Sequence, residues 1–454
     1  KPAYGDNRGP NKFGDRSNEK LLPVWSVSGM WNAKENLLKN VNFISDMQFR
    51  ASYGKQGNML ETMSPNLIIQ QGVIDPYYEE NVSTVYTFPN PNLMWEETWP
   101  VNLSLDISML DSRLTLSGTY YYKKTLNCFT SVNVSSVNGI STYVMNGGDL
   151  ENKGYTVQAM GVPVKLKNFR WNVSAYASVN LNTVQTNTAQ NYTLNDYLNG
   201  TALIDGEAVS SFYSYRFQGL NPINGTPVFD DYSDRRHLLK DKNLEELVLM
   251  TMENSGTREP KMSGGLQTSL SWKGLSLSAN FTYSLGSKVR LFPLYSPIYG
   301  GVKAQTNVRK EFTNRWQNPG DERYTDVPVI LSTSDPLYSS TQYHFSNSAN
   351  ASNDPEITKI TKFANNIWDM YDKSDFRVVS GNYLKCSSMV LRYIVDAKYL
   401  KKTPFSALSV SLSGTNLFTW SARKLKGQDP SQAGFAKPNL SLRPTYTLGV
   451  NVSF

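Results

Sequence analysis

The side chains suited to catalysis or metal binding are few and scattered in this sequence. Glu96-Glu97 and Glu245-Glu246 are adjacent acidic pairs. Neighbouring residues on a strand point in opposite directions, so neither pair supplies the two facing carboxylates of a glycosidase. His237 and His344 are the two histidines of the chain and are isolated from one another. The sequence contains no nucleophile elbow, metalloprotease helix motif or phosphate-binding loop, and we expect no enzymatic activity.

One acidic run has the composition of a cation site. The run Asp230-Asp231-Tyr232-Ser233-Asp234 offers oxygen ligands of the kind that calcium prefers. It lacks the glycine and the distal glutamate of an EF-hand loop, and we interpret it as solvated loop charge. We therefore expect no metal and no cofactor, and we keep Asp231 as a polar partner for a substrate.

Aromatic side chains in long polar connections are the remaining candidates, and their chemistry is binding. Flat rings stack on sugars or on peptide side chains, and their few rotatable bonds keep the entropy cost of ordering low. The alternative is that these rings form small cores inside the connections. The candidate substrate-binding residues are Tyr77, Tyr78, Tyr213, Tyr215, Asp231, Tyr295, Tyr299, Trp316 and Trp368.

Strands with a strict alternation of apolar and polar residues must position these connections. In the last segment, Leu448, Val450 and Val452 alternate with small or polar residues, which is the period of a β-strand. We predict an all-β, antiparallel fold. Its eleven segments are Val24–Trp31, Met47–Gly57, Met94–Met109, Arg113–Thr125, Gly147–Val162, Phe169–Asn182, Met262–Trp272, Gly274–Gly286, Tyr383–Val395, Ala407–Trp420 and Leu442–Phe454.

The overall composition excludes several classes of protein. The chain has a formal net charge of +7 but no block of like charges, so nucleic acid is a poor candidate partner. A mean hydropathy of −0.43 and the lack of a long apolar run argue against a membrane helix. Cys128 and Cys386 are the two cysteines, and we expect free thiols rather than a disulfide.

The connections between the segments alternate between short and long. Soluble sandwiches have no reason to place every long connection at one end, whereas outer-membrane barrels have short periplasmic turns and long extracellular loops. Asp111, Lys167, Lys273 and Lys402 would then lie in periplasmic turns. An odd number of strands cannot close with antiparallel neighbours throughout, so we expect further strands N-terminal to this chain. The predicted extracellular loops are 58–93, 126–146, 183–261, 287–382 and 421–441.

Short motifs in a fixed order also carry a family resemblance. The motifs are Phe13-Gly14, Pro23-Val24-Trp25-Ser26, the run from Phe49 to Asn58, Asn90-Pro91-Asn92-Leu93-Met94-Trp95-Glu96, Tyr121-Tyr122-Lys123-Lys124-Thr125, Asn146 with Gly148, Gly225-Thr226-Pro227, Arg315-Trp316-Gln317-Asn318-Pro319-Gly320-Asp321, Gly414 to Ser421 and the terminal Phe454. In this order they resemble the C-terminal barrel portion of SusC-type (RagA-type) TonB-dependent transporters of the Bacteroidetes outer membrane.

This resemblance implies a plugged transmembrane barrel of about 22 strands, of which this chain supplies the C-terminal half. It also implies an N-terminal plug outside this chain, energy supplied through TonB, a SusD-type surface lipoprotein as partner, and surrounding outer-membrane lipid. The function expected is import of an oligosaccharide, or of an oligopeptide, across the outer membrane. The alternative is a secreted or surface β-sheet protein that binds carbohydrate without transporting it.

Overall fold

Residues 3–5, 23–58, 67–88, 90, 92–135, 137, 139–140, 142–187, 192–230, 236–239, 242–295, 307–331, 334–337, 366–432 and 442–454 are described by a computed structural model. Strands dominate these residues. In chain order they are β1 (Ala3–Gly5), β2 (Val24–Asn32), β3 (Ile44–Asn58), β4 (Ile68–Ile74), β5 (Asn81–Thr87), β6 (Glu96–Met109), β7 (Leu114–Asn133), β8 (Thr142–Lys165), β9 (Phe169–Asn187), β10 (Ser211–Ser214), β11 (Phe217–Leu220), β12 (Pro227–Phe229), β13 (Glu253–Thr257), β14 (Met262–Trp272), β15 (Leu275–Leu285), β16 (Lys288–Arg290), β17 (Val378–Ser380), β18 (Tyr383–Ile394), β19 (Ala407–Ser421) and β20 (Thr445–Ser453).

The helices of the described residues are short and lie in the connections. They are α1 (Ala33–Asn36), α2 (Leu194–Asn199), α3 (Arg236–Leu239), α4 (Leu244–Thr251), α5 (Ile367–Asp372) and α6 (Ala397–Leu400). Within the described ranges, no helix has the length and apolar character needed to cross a membrane.

One large antiparallel sheet organises the molecule. Its twelve strands follow the order β1-β2-β3-β6-β7-β8-β9-β14-β15-β18-β19-β20, so each strand pairs with the next wall strand along the chain. All eleven predicted segments form strands of this sheet, which confirms the antiparallel all-β prediction. We call this sheet the wall.

The start of the chain differs from the prediction. The opening residues Lys1 to Asn18 are rich in Gly, Pro, Asn and Asp, a composition that predicts a loop, but Ala3–Gly5 pairs with Val24–Ser26 as the short edge strand β1. The unpaired edge of β2 explains this, because its backbone groups accept any adjacent extended segment. The remainder of the predicted loop lies outside the described residues.

The predicted loop 126–146 is also mostly strand. Strand β7 continues to Asn133 and β8 already begins at Thr142. The ladder between them shifts register on both sides of Cys128, and Asn127 has a φ of 58°. This bulge reverses the side-chain parity, and therefore the alternation in the sequence breaks although the strand does not.

The two ends of the wall have different connections. Tight turns at 110–113, 166–168 and 273–274 and the short helices α1 and α6 occupy one end. At the tightest turn, Lys273 has a φ of 52°. The other end carries the hairpin β4–β5 and the long connections between β9 and β14 and between β15 and β18. The structure thus has the asymmetry that the sequence indicated.

The main hydrophobic core lies in these connections. Buried side chains of 192–261 and 286–382 pack into one cluster that includes Tyr197, Leu198, Phe229, Val248, Leu294 and Tyr371. We call this folded unit, formed by the connections β9–β14 and β15–β18, the loop core.

Candidate functional site

The two faces of the wall have opposite chemical character. Cross-strand register places Leu103, Tyr120 and Tyr155 in one row on the outer face. The next row carries Ser104 and Thr119, whose hydroxyls hydrogen-bond at 3.0 Å on the inner face. The outer face is therefore apolar and the inner face is lined by hydroxyls and amides, as in a strand wall between lipid and a polar lumen.

Exposed apolar side chains continue along the outer face of the whole wall. Apolar groups in this number are exposed only where lipid or a partner covers them. The exposed residues on this face include Val27, Phe49, Tyr53, Leu103, Tyr120, Tyr155, Val157, Leu181, Leu266, Trp272, Leu275, Leu391, Tyr393, Val410, Leu412, Tyr446, Leu448, Val450 and Val452.

Aromatic residues near the strand ends share this outer face. Trp25, Tyr53 and Trp99 cluster at the loop end of the wall, where the Trp25 and Tyr53 ring centroids are 5.5 Å apart. Trp272 and Phe454 lie at the turn end, where Phe405 contacts Phe454 at 5.4 Å. Two aromatic bands separated by an apolar belt are the pattern of a membrane-spanning wall.

The loop core contains five of the nine candidate substrate-binding residues. Tyr213, Tyr215, Tyr295, Trp316 and Trp368 expose only 2–5% of their surface. Tyr295 contacts the Trp368 ring at 4.9 Å and donates a hydrogen bond from its hydroxyl to the Pro328 carbonyl at 2.6 Å. Burial raises the pKa of Tyr295. The geometry gives these five side chains the packing role that the sequence had left as an alternative.

The other four candidates are placed differently. Tyr77 and Tyr78 lie in the turn of the hairpin β4–β5 and are 92% and 79% exposed. The Asp75 carboxylate accepts hydrogen bonds from both of their backbone amides, which fixes the turn. Asp231 and Tyr299 lie outside the described residues. Among the candidates that the structure describes, Tyr77 and Tyr78 are thus the ones whose side chains are accessible to a ligand.

A buried ionic cluster joins the loop core to the last connection. The Glu311 carboxylate accepts hydrogen bonds from Arg377 at 2.7 Å, Lys426 at 2.7 Å and Arg309 at 3.1 Å. Burial alone would raise the pKa of Glu311, but the Arg377 and Lys426 cations outweigh it and hold this pKa below its ordinary value. Three cations from different segments therefore converge on one carboxylate.

A second buried cation links the two halves of the loop core. Arg290 donates hydrogen bonds to the carbonyls of Leu198 at 2.6 Å and Tyr213 at 2.7 Å, and to the Ser214 hydroxyl at 2.8 Å. Burial lowers the pKa of Arg290 to about 10. Its hydrogen bonds cross from the β15–β18 connection to the β9–β14 connection and hold the two connections together.

A polar pocket of about 430 Å³ lies where β9 leaves the wall and enters the loop core. Its lining includes Asn182, Glu207, Asn254 and Glu259. The Glu207 Oε1 atom accepts hydrogen bonds from the Tyr213 hydroxyl at 2.6 Å and from Asn254 at 3.0 Å. Its Oε2 atom is buried and has no partner among the described residues. The pocket is thus lined by a carboxylate that is held by two hydrogen bonds and has one buried oxygen without a partner among the described residues.

Sequence reasoning did not identify these pocket residues. They come from β9, from the segment after α2, from β13 and from the residues that follow β13, and they meet only because the β9–β14 connection folds back on β9. Carboxylates and amides of this kind occur throughout the sequence, and no local pattern distinguishes them.

The acidic and thiol groups considered for chemistry have structural roles. Glu96 accepts a hydrogen bond from the Phe129 amide at 2.7 Å, and Glu97 pairs with Lys55 at 2.7 Å. Glu246 forms a capping box with Asn243 at the start of α4, so this acidic pair lies on a helix rather than on a strand. Cys128 and Cys386 are free thiols, as predicted. Within the described ranges, no cluster of three or more metal-ligating side chains occurs.

Comparison with known proteins places the fold in a family. The family model described as "TonB dependent receptor-like, beta-barrel" matches residues 3–234. TonB-dependent receptor P3 of Formosa agariphila is 25% identical over 476 residues, covering 98% of this chain and 43% of that protein. TonB-dependent receptor SusC of Bacteroides thetaiotaomicron is 29% identical over 229 residues, covering 45% of this chain and 22% of that protein.

The solved structures agree on the fold. The RagAB peptide transporter superimposes with a TM-score of 0.74 at 21% identity, over 98% of this chain and 44% of that chain. The chain therefore spans less than half the length of the relatives it matches. Its apolar outer face, its aromatic bands and the family model agree: this chain belongs to the TonB-dependent receptor β-barrel family, of the SusC and RagA type, in the outer membrane.

Proposed function

We propose that this chain forms the barrel wall and the extracellular mouth of a TonB-dependent importer for an oligosaccharide nutrient. The observation that carries this proposal is the pocket at Glu207, which lies where β9 leaves the wall and is lined by carboxylate, amide and hydroxyl side chains. Sugars present many hydroxyls and few charges, and such ligands are held by carboxylate, amide and hydroxyl partners in a polar cleft.

The inner face of the wall supports a neutral, hydroxyl-rich substrate. Thr156 and Ser178 hydrogen-bond at 3.1 Å, and Asn280 donates to Ser388 at 2.8 Å. Arg50 and Asp106 form an ion pair on this face. Hydroxyl and amide side chains can release one sugar hydroxyl and bind the next with little change in free energy. This property suits the movement of a sugar along the inner face of the wall.

An oligopeptide is the second candidate substrate. Tyr77 and Tyr78 project from the tip of an exposed hairpin, and aromatic rings of this kind contact apolar peptide side chains as well as sugar rings. The RagAB protein, whose fold this chain shares, is described as a peptide transporter. A direct comparison of the two ligand classes decides between them.

The partners follow from the same proposal. A plug and a TonB contact would be supplied by segments outside this chain, and the complete barrel would have about 22 strands. The exposed apolar hairpin β4–β5 at the mouth suits contact with a SusD-type surface lipoprotein that covers the substrate. A secreted carbohydrate-binding protein is disfavoured, because the apolar outer face of the wall would face water.

The test uses the full-length receptor in its native host. Glu207→Gln and Asn254→Ala should lower uptake of the preferred oligosaccharide at least several-fold, because both side chains lie in the pocket. Glu253→Gln is the matched control, since Glu253 pairs with Arg216 at 3.4 Å beside the pocket without lining it. Uptake that is equal in all three variants, or that continues in cells without TonB, would refute the proposal.

A further inference from the structure

A row of charged residues interrupts the apolar outer face near the loop end of the wall. Register places Lys55 opposite Trp25, Trp99 opposite Lys124, and Lys124 opposite Glu151. The next row toward the membrane carries Lys153, opposite Tyr122. Three ammonium groups therefore share the outer surface with the carboxylates of Glu97 and Glu151. We call this cluster the outer lysine row.

The position of the outer lysine row along the strands places it at one membrane interface. From Trp99 to the turn-end residue Met109, β6 advances about 34 Å at about 3.4 Å per residue. With the usual tilt of about 40°, this corresponds to a height of about 25 Å, which is the height of the apolar band of outer-membrane barrels. The row thus lies at the level of lipid headgroups in the extracellular leaflet.

The three lysines differ in how they are held. Lys55 pairs with Glu97 at 2.7 Å and lies over the Trp99 ring at 5.3 Å, and its side chain is only 14% exposed. Lys153 pairs with Glu151 at 2.9 Å but remains 48% exposed. Glu151 also accepts a hydrogen bond from the Tyr122 hydroxyl at 3.3 Å. Among the described residues, Lys124 forms no ion pair with a carboxylate.

Lys124 and Lys153 are diagonal neighbours on β7 and β8. Residues in this relationship lie about 7–8 Å apart at the backbone, so two lysine side chains can direct their ammonium groups to one anion. Basic clusters beside membrane surfaces bind anionic headgroups, and lysine stems lie along apolar surface while the ammonium reaches the interface. The surrounding Trp99 and Tyr122 rings have the amphipathic character that interfacial positions favour.

We propose that Lys124 and Lys153 bind the phosphate group of a lipid in the outer leaflet. The Glu151 carboxylate pairs with Lys153 and fixes the position of its ammonium group. The Lys55–Glu97 pair forms the other end of the outer lysine row, on β3 and β6. The lipid would thereby fix the rotational position of the wall against the membrane. This inference rests on the outer-membrane location of the chain and not on the identity of the imported nutrient.

The experiment measures lipid that remains bound to the full-length receptor after extraction in mild detergent. Native mass spectrometry of the unmodified protein should show retained phosphorylated lipid, and Lys124→Gln with Lys153→Gln should lower that retention at least about five-fold. Lys273→Gln is the matched control, because Lys273 lies over the Trp272 ring at 5.4 Å at the opposite end of the wall. The conservative Lys124→Arg, Lys153→Arg variant should retain the lipid.

Nanodisc reconstitution distinguishes the source of the phosphate. The receptor should bind less lipid when the phosphorylated lipid A of the nanodisc is replaced by its dephosphorylated form. Added inorganic phosphate should not displace the bound lipid. Thermal melting verifies that each variant is folded. Equal lipid retention in the Lys124→Gln, Lys153→Gln variant and the Lys273→Gln control would overturn the proposal, as would full displacement by inorganic phosphate.

Discussion

Arg377 and Glu311 form an ion pair inside the loop core, with 2.7 Å between Nη1 and Oε2 and with only 1% and 5% of their side chains exposed. Lys426 reaches the same carboxylate oxygen from the last long connection. Arg377 also donates a hydrogen bond to the Phe292 carbonyl at 2.7 Å. This single carboxylate therefore ties the β15–β18 connection to the β19–β20 connection at the mouth of the wall.

Removing the Glu311 charge should destabilise the loop core. Glu311→Gln leaves Arg377 buried without a counter-charge, a change that typically costs about 3–5 kcal/mol. We expect faster limited proteolysis of the loop-core segments 307–331 and 366–382 in the folded full-length receptor, while the wall stays resistant. Glu253→Gln provides the control, since the Arg216–Glu253 pair is 52% exposed on both sides and such pairs contribute about 0–1 kcal/mol. Equal protease resistance of the two variants would contradict the assigned role.

The same pair predicts a dependence on pH. The pKa of Glu311 is lowered in the folded state, so its stabilising contribution is fully present above the unfolded pKa of about 4.3. The contribution is lost as pH falls through the lower folded pKa, because protonation of Glu311 removes the charge that Arg377 requires. The difference in protease resistance between the unmodified receptor and Glu311→Gln should therefore be large at about pH 7 and should shrink as pH falls below about 4.3. A difference that stays constant over this range would rule out the linkage.

Gly225 should tolerate no side chain. Its φ is 68°, and a Cβ at this position would collide with the Trp316 ring. Gly225→Ala should therefore combine strain of about 1 kcal/mol with overpacking of about 1–3 kcal/mol. Gly206→Ala measures the backbone strain alone, because Gly206 has a φ of 76° and open space around the Cβ position. Thermal melting of the two variants measures the difference, and equal melting temperatures would show that Trp316 moves aside without cost.

The wall could be predicted from the sequence because its structure is local. Alternation along Leu275, Leu277 and Phe281 follows directly from the two faces of one strand, and pairing with the next strand needs only a short turn. Prediction failed where a bulge changes the parity, as at Asn127, which has a φ of 58°. A bulge adds one residue to a strand, and the apolar pattern then resembles a loop.

The loop core could not be predicted because its contacts are distant in sequence. Gln428 donates a hydrogen bond to the Arg290 carbonyl across a separation of 138 residues, and Arg377 reaches Glu311 across 66. An aromatic residue such as Trp368 has the same local context whether it packs inside a core or stacks on a ligand. Only the folded connections show that its side chain is 2% exposed.

Substitution of the exposed aromatic residues should leave the stability of the receptor unchanged, whereas substitution of a buried one should lower it. Tyr77→Ser with Tyr78→Ser removes two rings that are 92% and 79% exposed, so the stability of the receptor should stay within about 0.5 kcal/mol of the unmodified protein. If these rings contact the nutrient, its uptake should fall several-fold. Trp368→Ala is the opposite case, because loss of a buried tryptophan costs about 3–5 kcal/mol and should expose the loop core to protease. Unchanged uptake in the double tyrosine variant would remove both residues from the substrate path, and a Trp368→Ala receptor with normal protease resistance would contradict the packing role.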